Sequence, residues 1–401
     1  MRKKEKYKKG RIWKIIGLII GVVLLVLATA IFVQVDFSNP KDLEKFVQVK
    51  MEKAGMNGVS IAIIKDNKID RIINYGDADK ELGKPITNNT VFQIASVSKT
   101  VTATAVMQLV EKGAIQLDDD INAYLPFRIV HPKFPDTPIT FRMLLDHTSG
   151  LDNNWELYDS LYTTHSGGGD STVTLEQFMK EFFIPGGKWY DEAKNFTNEQ
   201  PGSTFAYSNT GYGLLGYLVE EITKTPFPEY TQQQIFDPVG MTHTNWLHRD
   251  MLIKEALAVQ YDSKGKALVP YSLPTYPDGT LKTTTTDFAK FYLAIMNGGQ
   301  VEGGNILSPA TLEEMFKPQS DNGNQALGWS YSVLDSLYLK GISQGKVIGH
   351  TGSDPGVQTI TMFNPDNKSG LILFFNQELN LNLRTLNLHS MIKRLVKEAG
   401  M

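Results

Sequence analysis

Val91-Phe-Gln-Ile-Ala-Ser96-Val-Ser-Lys99-Thr100 is the stretch from which the rest of this 401-residue chain can be read. Val91 to Ala95 is strand-like, and an apolar helical pattern follows at Val101, Ala105, Val106, Leu109 and Val110. The pattern places Ser96 at the opening of a helix with Lys99 three positions on. Residues at that spacing share one helix face, so local geometry alone holds an amine beside a hydroxyl. Serine is a weak nucleophile at neutral pH until a base takes its proton. Lysine can be that base when burial or a neighbouring cation lowers its pKa. Free N–H groups at a helix start also favour a developing oxyanion. The competing reading is that Ser96 is an ordinary N-cap.

Spacing alone does not decide this, because Ser-x-x-Lys also begins at Ser38, Ser263, Ser343 and Ser390. Ser38 precedes Pro40, Ser263 and Ser343 lie in Gly-containing turns, and Ser390 lies in an amphipathic C-terminal pattern. Two further segments single out Ser96. One is Pro201-Gly-Ser-Thr-Phe-Ala-Tyr207-Ser-Asn209-Thr-Gly, and the other is Val347-Ile-Gly-His350-Thr351-Gly352-Ser353-Asp-Pro-Gly356. A tyrosine can relay a proton, an asparagine can hold a substrate amide, and a polar strand edge can hold a carboxylate. With these three elements in this order, the chain resembles the serine β-lactamase and penicillin-binding protein superfamily, especially its class C-like branch. Leu144-Leu-Asp-His147-Thr-Ser-Gly-Leu151, Asp278-Gly-Thr-Leu-Lys-Thr and Leu327-Gly-Trp329 extend the resemblance over roughly residues 42 to 398.

The resemblance implies a serine acyl-transfer enzyme. Ser96 would attack a carbonyl, and Lys99 with Tyr207 would carry the proton. Asn209 would orient Lys99 or a substrate amide. The N–H groups of Ser96 and Ser353 would form the oxyanion hole, and His350, Thr351 and Gly352 would border the substrate's polar end. No metal or cofactor is required. Expected substrates are cell-wall D-alanyl peptides or esters and small esters, with β-lactams as covalent mimics. His350 stands where the family's β-lactamases carry lysine. It removes a permanent cation from the carboxylate position, which argues against efficient β-lactam hydrolysis but not against acyl-enzyme chemistry. The other class of reading is a sensor or scaffold that acylates without turnover or is inactive.

Composition bounds the alternatives. Hydrophobic residues make up 41% of the chain, a globular composition. Formal net charge is −3, but residues 1–14 alone carry eight basic residues and one acid, leaving the remainder near −10. So acidic a body argues against nucleic-acid binding. With no cysteine, thiol nucleophiles, disulfides and Cys-ligated metals are excluded. His243 and His248 are not in a zinc frame. Gly341-Ile-Ser343-Gln-Gly345 matches a nucleophile elbow in letters only, since turn signals surround it.

Ile15 to Val33 is an uncharged, largely apolar run behind the basic block. It predicts a single-pass anchor over 15–34, with 1–14 cytoplasmic, 35–41 a linker and 42–401 an extracytoplasmic catalytic domain at the cell membrane. A cleaved signal peptide ending near Ala28-Thr-Ala30 is the competing reading. The expected fold is α+β. One antiparallel sheet is built from both chain ends, through a hairpin at Asp66-Asn67 and strands around 346–350, 357–363 and 370–375. A mostly helical lobe is inserted over about 95–300. Helices are expected at 41–54 and 381–399. Residues 152–202, with a helical patch at 175–183, read either as a rim of the cleft or as a solvated loop.

Overall fold

The structure, a computed structural model, describes residues 33–401 except 165–168, 252, 254–255, 320–322, 338, 344 and 380–381, together with residues 16, 18–23 and 29. The chain divides into two compact units.

The first unit comprises Met1–Met56 and Leu379–Ile392. Helix α1 (Leu43–Ala54) starts where Asp42 accepts a hydrogen bond from Lys45 N–H, and ends at Gly55 in a left-handed conformation. Its Lys50 is buried, and its ammonium donates to Asp36 Oδ1 (2.9 Å) and to the Ser38 carbonyl (3.0 Å). Asn387 accepts from Asp36 N–H and donates to the Gln34 carbonyl. The expected single-pass anchor, and the cell-membrane location drawn from it, are corrected here. Among the described residues no helix is long and apolar enough to cross a membrane. Of the 15–34 stretch, positions 16, 18–23, 29 and 33–34 are described, all of them helical. The remainder of the stretch lies outside the described residues.

The second unit comprises Asn57–Glu378 and Lys393–Met401. It carries a six-stranded, wholly antiparallel sheet. The strands are β1 (Gly58–Lys65), β2 (Lys68–Asp79), β3 (Lys84–Pro85), β4 (Ile348–Asp354), β5 (Val357–Asn364) and β6 (Ser369–Phe375), in the order β4-β5-β6-β1-β2-β3. The sheet is therefore built from both ends of the chain, as expected, with β1 against β6 at its centre. Asp66 and Asn67 both take φ > 0, the geometry of a tight hairpin turn, and Lys65 pairs with Lys68.

Between the two sets of strands lies the helical lobe. Its helix α2 (Lys99–Glu111) is buried at Lys99 and on every residue to Leu109. No polar face remains, so its threonines must satisfy themselves. Thr100 and Thr104 donate back to carbonyls of the preceding turn, and Thr102 donates to the Pro277 carbonyl at 2.6 Å. Helix α3 (Asn209–Thr223) is buried from Asn209 through Val219. Helix α4 (Thr285–Met296) lies on the sheet, with Phe288 against Phe374 and Tyr292 edge-on to Phe363. Burying aliphatic side chains such as Val101, Val106 and Leu109 stabilises by about 1.5–3 kcal/mol each. The C-terminal helix α5 (Thr385–Ala399) begins later than expected.

Candidate active site

Ser96 does not lie in a helix proper. It occupies the 3₁₀ turn Ala95–Ser98, and Lys99 is the first residue of α2. Residues i and i+3 eclipse in a 3₁₀ turn, so the expected pairing survives the change of helix type. Ser96 is not an N-cap: neither end of the turn has a side-chain cap, and the Ser96 hydroxyl instead accepts from Lys99 Nζ at 3.1 Å. Ala95 holds φ +48, a left-handed conformation that costs a non-glycine residue about 1–3 kcal/mol and recurs at functional sites.

The turn is over-determined by its surroundings. Val91–Gln93 pairs with Lys282–Thr284. Ile94 N–H donates to the Leu281 carbonyl (2.9 Å), and Leu281 N–H donates to Ser98 Oγ (3.1 Å). On the other side, β4 lies against the turn at Gly352. A Cβ there would stand 2.7 Å from the Ile94 carbonyl oxygen and 3.0 Å from Ala95 Cβ, so glycine is what permits the approach.

Lys99 is 0% exposed. Its Nζ donates to the Asp278 carbonyl at 2.7 Å as well as to Ser96 Oγ, and sits 5.0 Å from the Tyr207 ring centroid and 5.7 Å from that of Tyr212. Tyr207 is half-buried, immediately before α3, whose N-cap Ser208 accepts from Gly211 N–H. Asn209 is the first residue of α3, and its side-chain oxygen is buried without a hydrogen-bond partner. His350 lies on β4, with its ring 6.5 Å from that of Tyr207. Its Nδ1 donates to the Thr351 carbonyl at 2.6 Å. Burial foremost, and the Lys99 charge next, push His350 down to about 4. The ring is therefore neutral at physiological pH, and the third motif presents no cation. Thr351 is half-buried, Gly352 buried and Ser353 exposed at the end of the same strand. The structure thus gathers Ser96, Lys99, Tyr207 and His350 in one place, with Asn209 two residues from Tyr207.

Two positioning residues escaped the sequence reading. Asn153 donates to the Tyr207 carbonyl (2.8 Å) and accepts from Asn209 N–H (2.5 Å) and Thr210 N–H (3.2 Å), clamping the Tyr207-Ser208-Asn209 segment. The sequence offers no signal for it. His147, quoted in the sequence only as part of the segment between the first two motifs, is buried, and its Nδ1 accepts from Ser208 N–H at 3.1 Å. Its ring stands 4.4 Å from that of Tyr207. Burial first, then the Lys99 charge, hold His147 well below the usual imidazole range, which keeps Nδ1 free to accept. Residues 152–202 also reach the site: Tyr158 donates to Asp278 Oδ1 (2.9 Å) and Tyr162 to Asp354 Oδ1 (3.0 Å). The Gly341–Gly345 stretch holds no strand-to-helix elbow among its described residues.

The family model for Beta-lactamase matches residues 43–392. The chain belongs to the beta-lactamase family. This family member is 28% identical over 345 residues to the putative penicillin-binding protein PbpX of Bacillus subtilis, covering 84% of this chain and 75% of that one. Among solved structures it matches the octameric penicillin-binding protein homologue of Pyrococcus abyssi with a TM-score of 0.68 and 26% identity, over 87% of this chain and 76% of the other. A class C beta-lactamase matches with a TM-score of 0.67 at 23% identity, over 87% and 94% of the two chains, a likeness of fold. The beta-lactamase family is one of serine hydrolases, and the α+β architecture read from the sequence is its fold.

Proposed function

We propose that this protein is a serine acyl-transfer hydrolase acting on amide or ester substrates of the cell wall, D-alanyl peptides or esters among them. The observation that carries the reading is Lys99 Nζ within hydrogen-bond reach of Ser96 Oγ, 3.1 Å, in a site where Lys99 is fully buried. Ser96 Oγ attacks the substrate carbonyl carbon as Lys99 and Tyr207 together carry its proton away. The C–N or C–O bond to the leaving group then breaks, and the leaving group takes that proton. Water attacks the acyl-enzyme, releasing the acid and restoring the Ser96 hydroxyl. The N–H groups of Ser96 and Ser353 hold the oxyanion, a donor type worth about 3 kcal/mol of barrier each. Asn209 turns its unmatched oxygen to Lys99 or to a substrate amide.

The neutral His350 supports substrates that do not depend on a docked carboxylate, and so supports slow rather than efficient β-lactam hydrolysis. The relative named for penicillin binding supports β-lactams as covalent ligands. Intact-mass spectrometry against time tests the reading, with a fluorescent penicillin and, in parallel, an activated fluorophosphonate. A penicillin adduct that forms in a burst and then clears marks the hydrolase. A penicillin adduct that lasts for hours marks a protein that traps its ligand instead, while the fluorophosphonate reports only a reactive serine. Absence of an adduct with either probe overturns acyl chemistry altogether.

A further inference from the structure

A cavity of about 620 Å³ opens in the second unit, and its lining includes none of Ser96, Lys99, Tyr207 and His350. The volume is that of a small-molecule site. Its walls come from segments 170–176, 226–236, 245–250 and 272–276, with Glu220 reaching in from the last turn of α3. Tyr276 lines it and begins the 3₁₀ turn Tyr276–Asp278, whose far end takes Lys99 Nζ. Cavity and catalytic cleft therefore share a wall but not a space. The lining carries the carboxylates of Asp170, Glu176, Glu220, Glu229 and Asp250 against one guanidinium, that of Arg249. The neighbouring cations are already engaged. Lys180 pairs with Glu176 at 2.6 Å, Arg249 Nε stands 3.8 Å from Asp250, and Lys282 is buried with its ammonium on the Trp246 carbonyl.

Glu220 is the inner carboxylate. Its Oε1 accepts from Phe227 N–H (2.9 Å) and from the Tyr276 hydroxyl (3.0 Å), which fix the side chain. Its Oε2 makes no hydrogen bond among the described residues and is not sealed from solvent. Burial raises the Glu220 pKa above the ordinary carboxylate value, and the charges of Glu221 and Glu176 add to this against those two hydrogen bonds. Ser272, fully buried in the floor, has a hydroxyl without a partner. Its strand neighbour Tyr271 sends its own hydroxyl to the Pro355 carbonyl, so strand alternation turns Ser272 the other way, toward the cavity. Val173, Pro226 and Pro228 supply an accessible apolar wall, with Trp246 and Tyr276 buried behind it.

We propose that this cavity is a second ligand site, one that binds an organic ammonium with its cation on Glu220 Oε2 and its apolar body along Val173, Pro226 and Pro228. The site is independent of the chemistry assigned to Ser96. A carboxylate held by two donors on one oxygen is oriented in advance, so an arriving N–H finds the other oxygen already aimed. A half-buried carboxylate that is poorly solvated gains more from a cation than an exposed one does, and a charge-assisted hydrogen bond is the strong kind. Glu176, Glu229 and Asp250 are exposed, so solvent screens them. They bias the mouth toward cations, and Glu220 fixes the ligand's place. An anionic ligand would meet this excess of carboxylates with only Arg249 to answer it, and a wholly apolar one would bury Glu220 Oε2 unpaired.

Calorimetry on the full chain tests this with benzylamine, a cation at neutral pH, and benzyl alcohol, its neutral counterpart of nearly the same shape. Benzylamine is expected to bind at least about ten-fold more tightly. Glu220→Gln keeps an oxygen for Phe227 N–H and the Tyr276 hydroxyl, and is expected to bring the two ligands within about two-fold. Urea denaturation checks that this variant is folded. The double variant Glu176→Gln/Asp250→Asn changes exposed side chains only and leaves the Glu220 hydrogen bonds alone. At low salt it is expected to weaken benzylamine by about three-fold and leave benzyl alcohol unchanged. Ser96→Ala is expected to bind benzylamine as the unsubstituted protein does. Equal affinities for the two ligands, no binding of either at millimolar concentration, or a benzylamine affinity indifferent to both sets of carboxylate substitutions overturns the site. Loss of benzylamine binding in Ser96→Ala overturns it too, by placing the ligand in the catalytic cleft.

Discussion

Lys99 and Lys282 are both 0% exposed, and both are anchored to the same stretch of chain, yet only one faces a nucleophile. Lys99 donates to the Asp278 carbonyl and to the Ser96 hydroxyl. Lys282 donates to two carbonyls, those of Trp246 and Thr280, each at 2.9 Å. Burial pushes Lys282 down to about 8, against the pull of Asp170 and Asp250. A buried lysine with a depressed pKa is a candidate base by its electrostatics alone. What separates the two is the partner: a hydroxyl that can give up a proton and is half-exposed to a substrate, against carbonyls that can only accept. Geometry comes before pKa in choosing a catalytic group.

The sharpest way to break this contrast is to remove each amine in turn. Lys99→Ala is expected to slow formation of the fluorophosphonate adduct by about 10³-fold or more, whereas Lys282→Met leaves the rate of adduct formation near normal. Reversed outcomes, read from adduct mass against time, would exchange the roles. Tyr207→Phe, which removes the hydroxyl beside Lys99, is expected to cost about 10²-fold in the same assay. Asn153→Ala acts only through the Tyr207–Thr210 segment it clamps, and is expected to cost about ten-fold. Lys282→Met instead strands two buried carbonyls and is expected to lose about 2–4 kcal/mol of stability in urea denaturation.

A further expected effect is in pH. The folded-state pKa of Lys282, about 8, lies below that of an unfolded lysine, about 10.4. Between those values the unfolded chain binds more protons, so this residue's contribution makes stability rise with pH from about 8 toward 10. Below pH 8 its full cost is present. Lys282→Met should flatten that rise in the difference between the two stability curves, and a rise of unchanged slope would place the titration elsewhere.

Much of this was legible because it is local or repetitive. Ser96 and Lys99 are three residues apart, the Asp66-Asn67 turn announces its hairpin, and the apolar strands at each end of the chain leave a sheet as the natural home for both. The helix at 175–183 lies where its apolar spacing put it. What escaped is contact across the chain. Asn153 reaches Tyr207 through a main-chain carbonyl, which leaves no mark on residue type at either end. Tyr158 and Tyr162 reach Asp278 and Asp354 from a stretch whose role the sequence leaves open. The anchor reading failed for a different reason. It weighed hydropathy over 15–33 as though composition were enough, and among the described residues no helix has the length or apolarity of a span. His350 was legible as a substitution, but its neutrality depends on burial beside Lys99, which the sequence does not display.

The measurement that tests the central claim most directly is tandem mass spectrometry of the peptide carrying both Ser96 and Ser98 after fluorophosphonate labelling. The account predicts one adduct, on Ser96, absent from Ser96→Ala. Ser98 is buried and already committed to the Ala95 carbonyl and Leu281 N–H. An adduct on Ser98 or on another residue, or one that persists in Ser96→Ala, would contradict the assignment of Ser96 as the nucleophile.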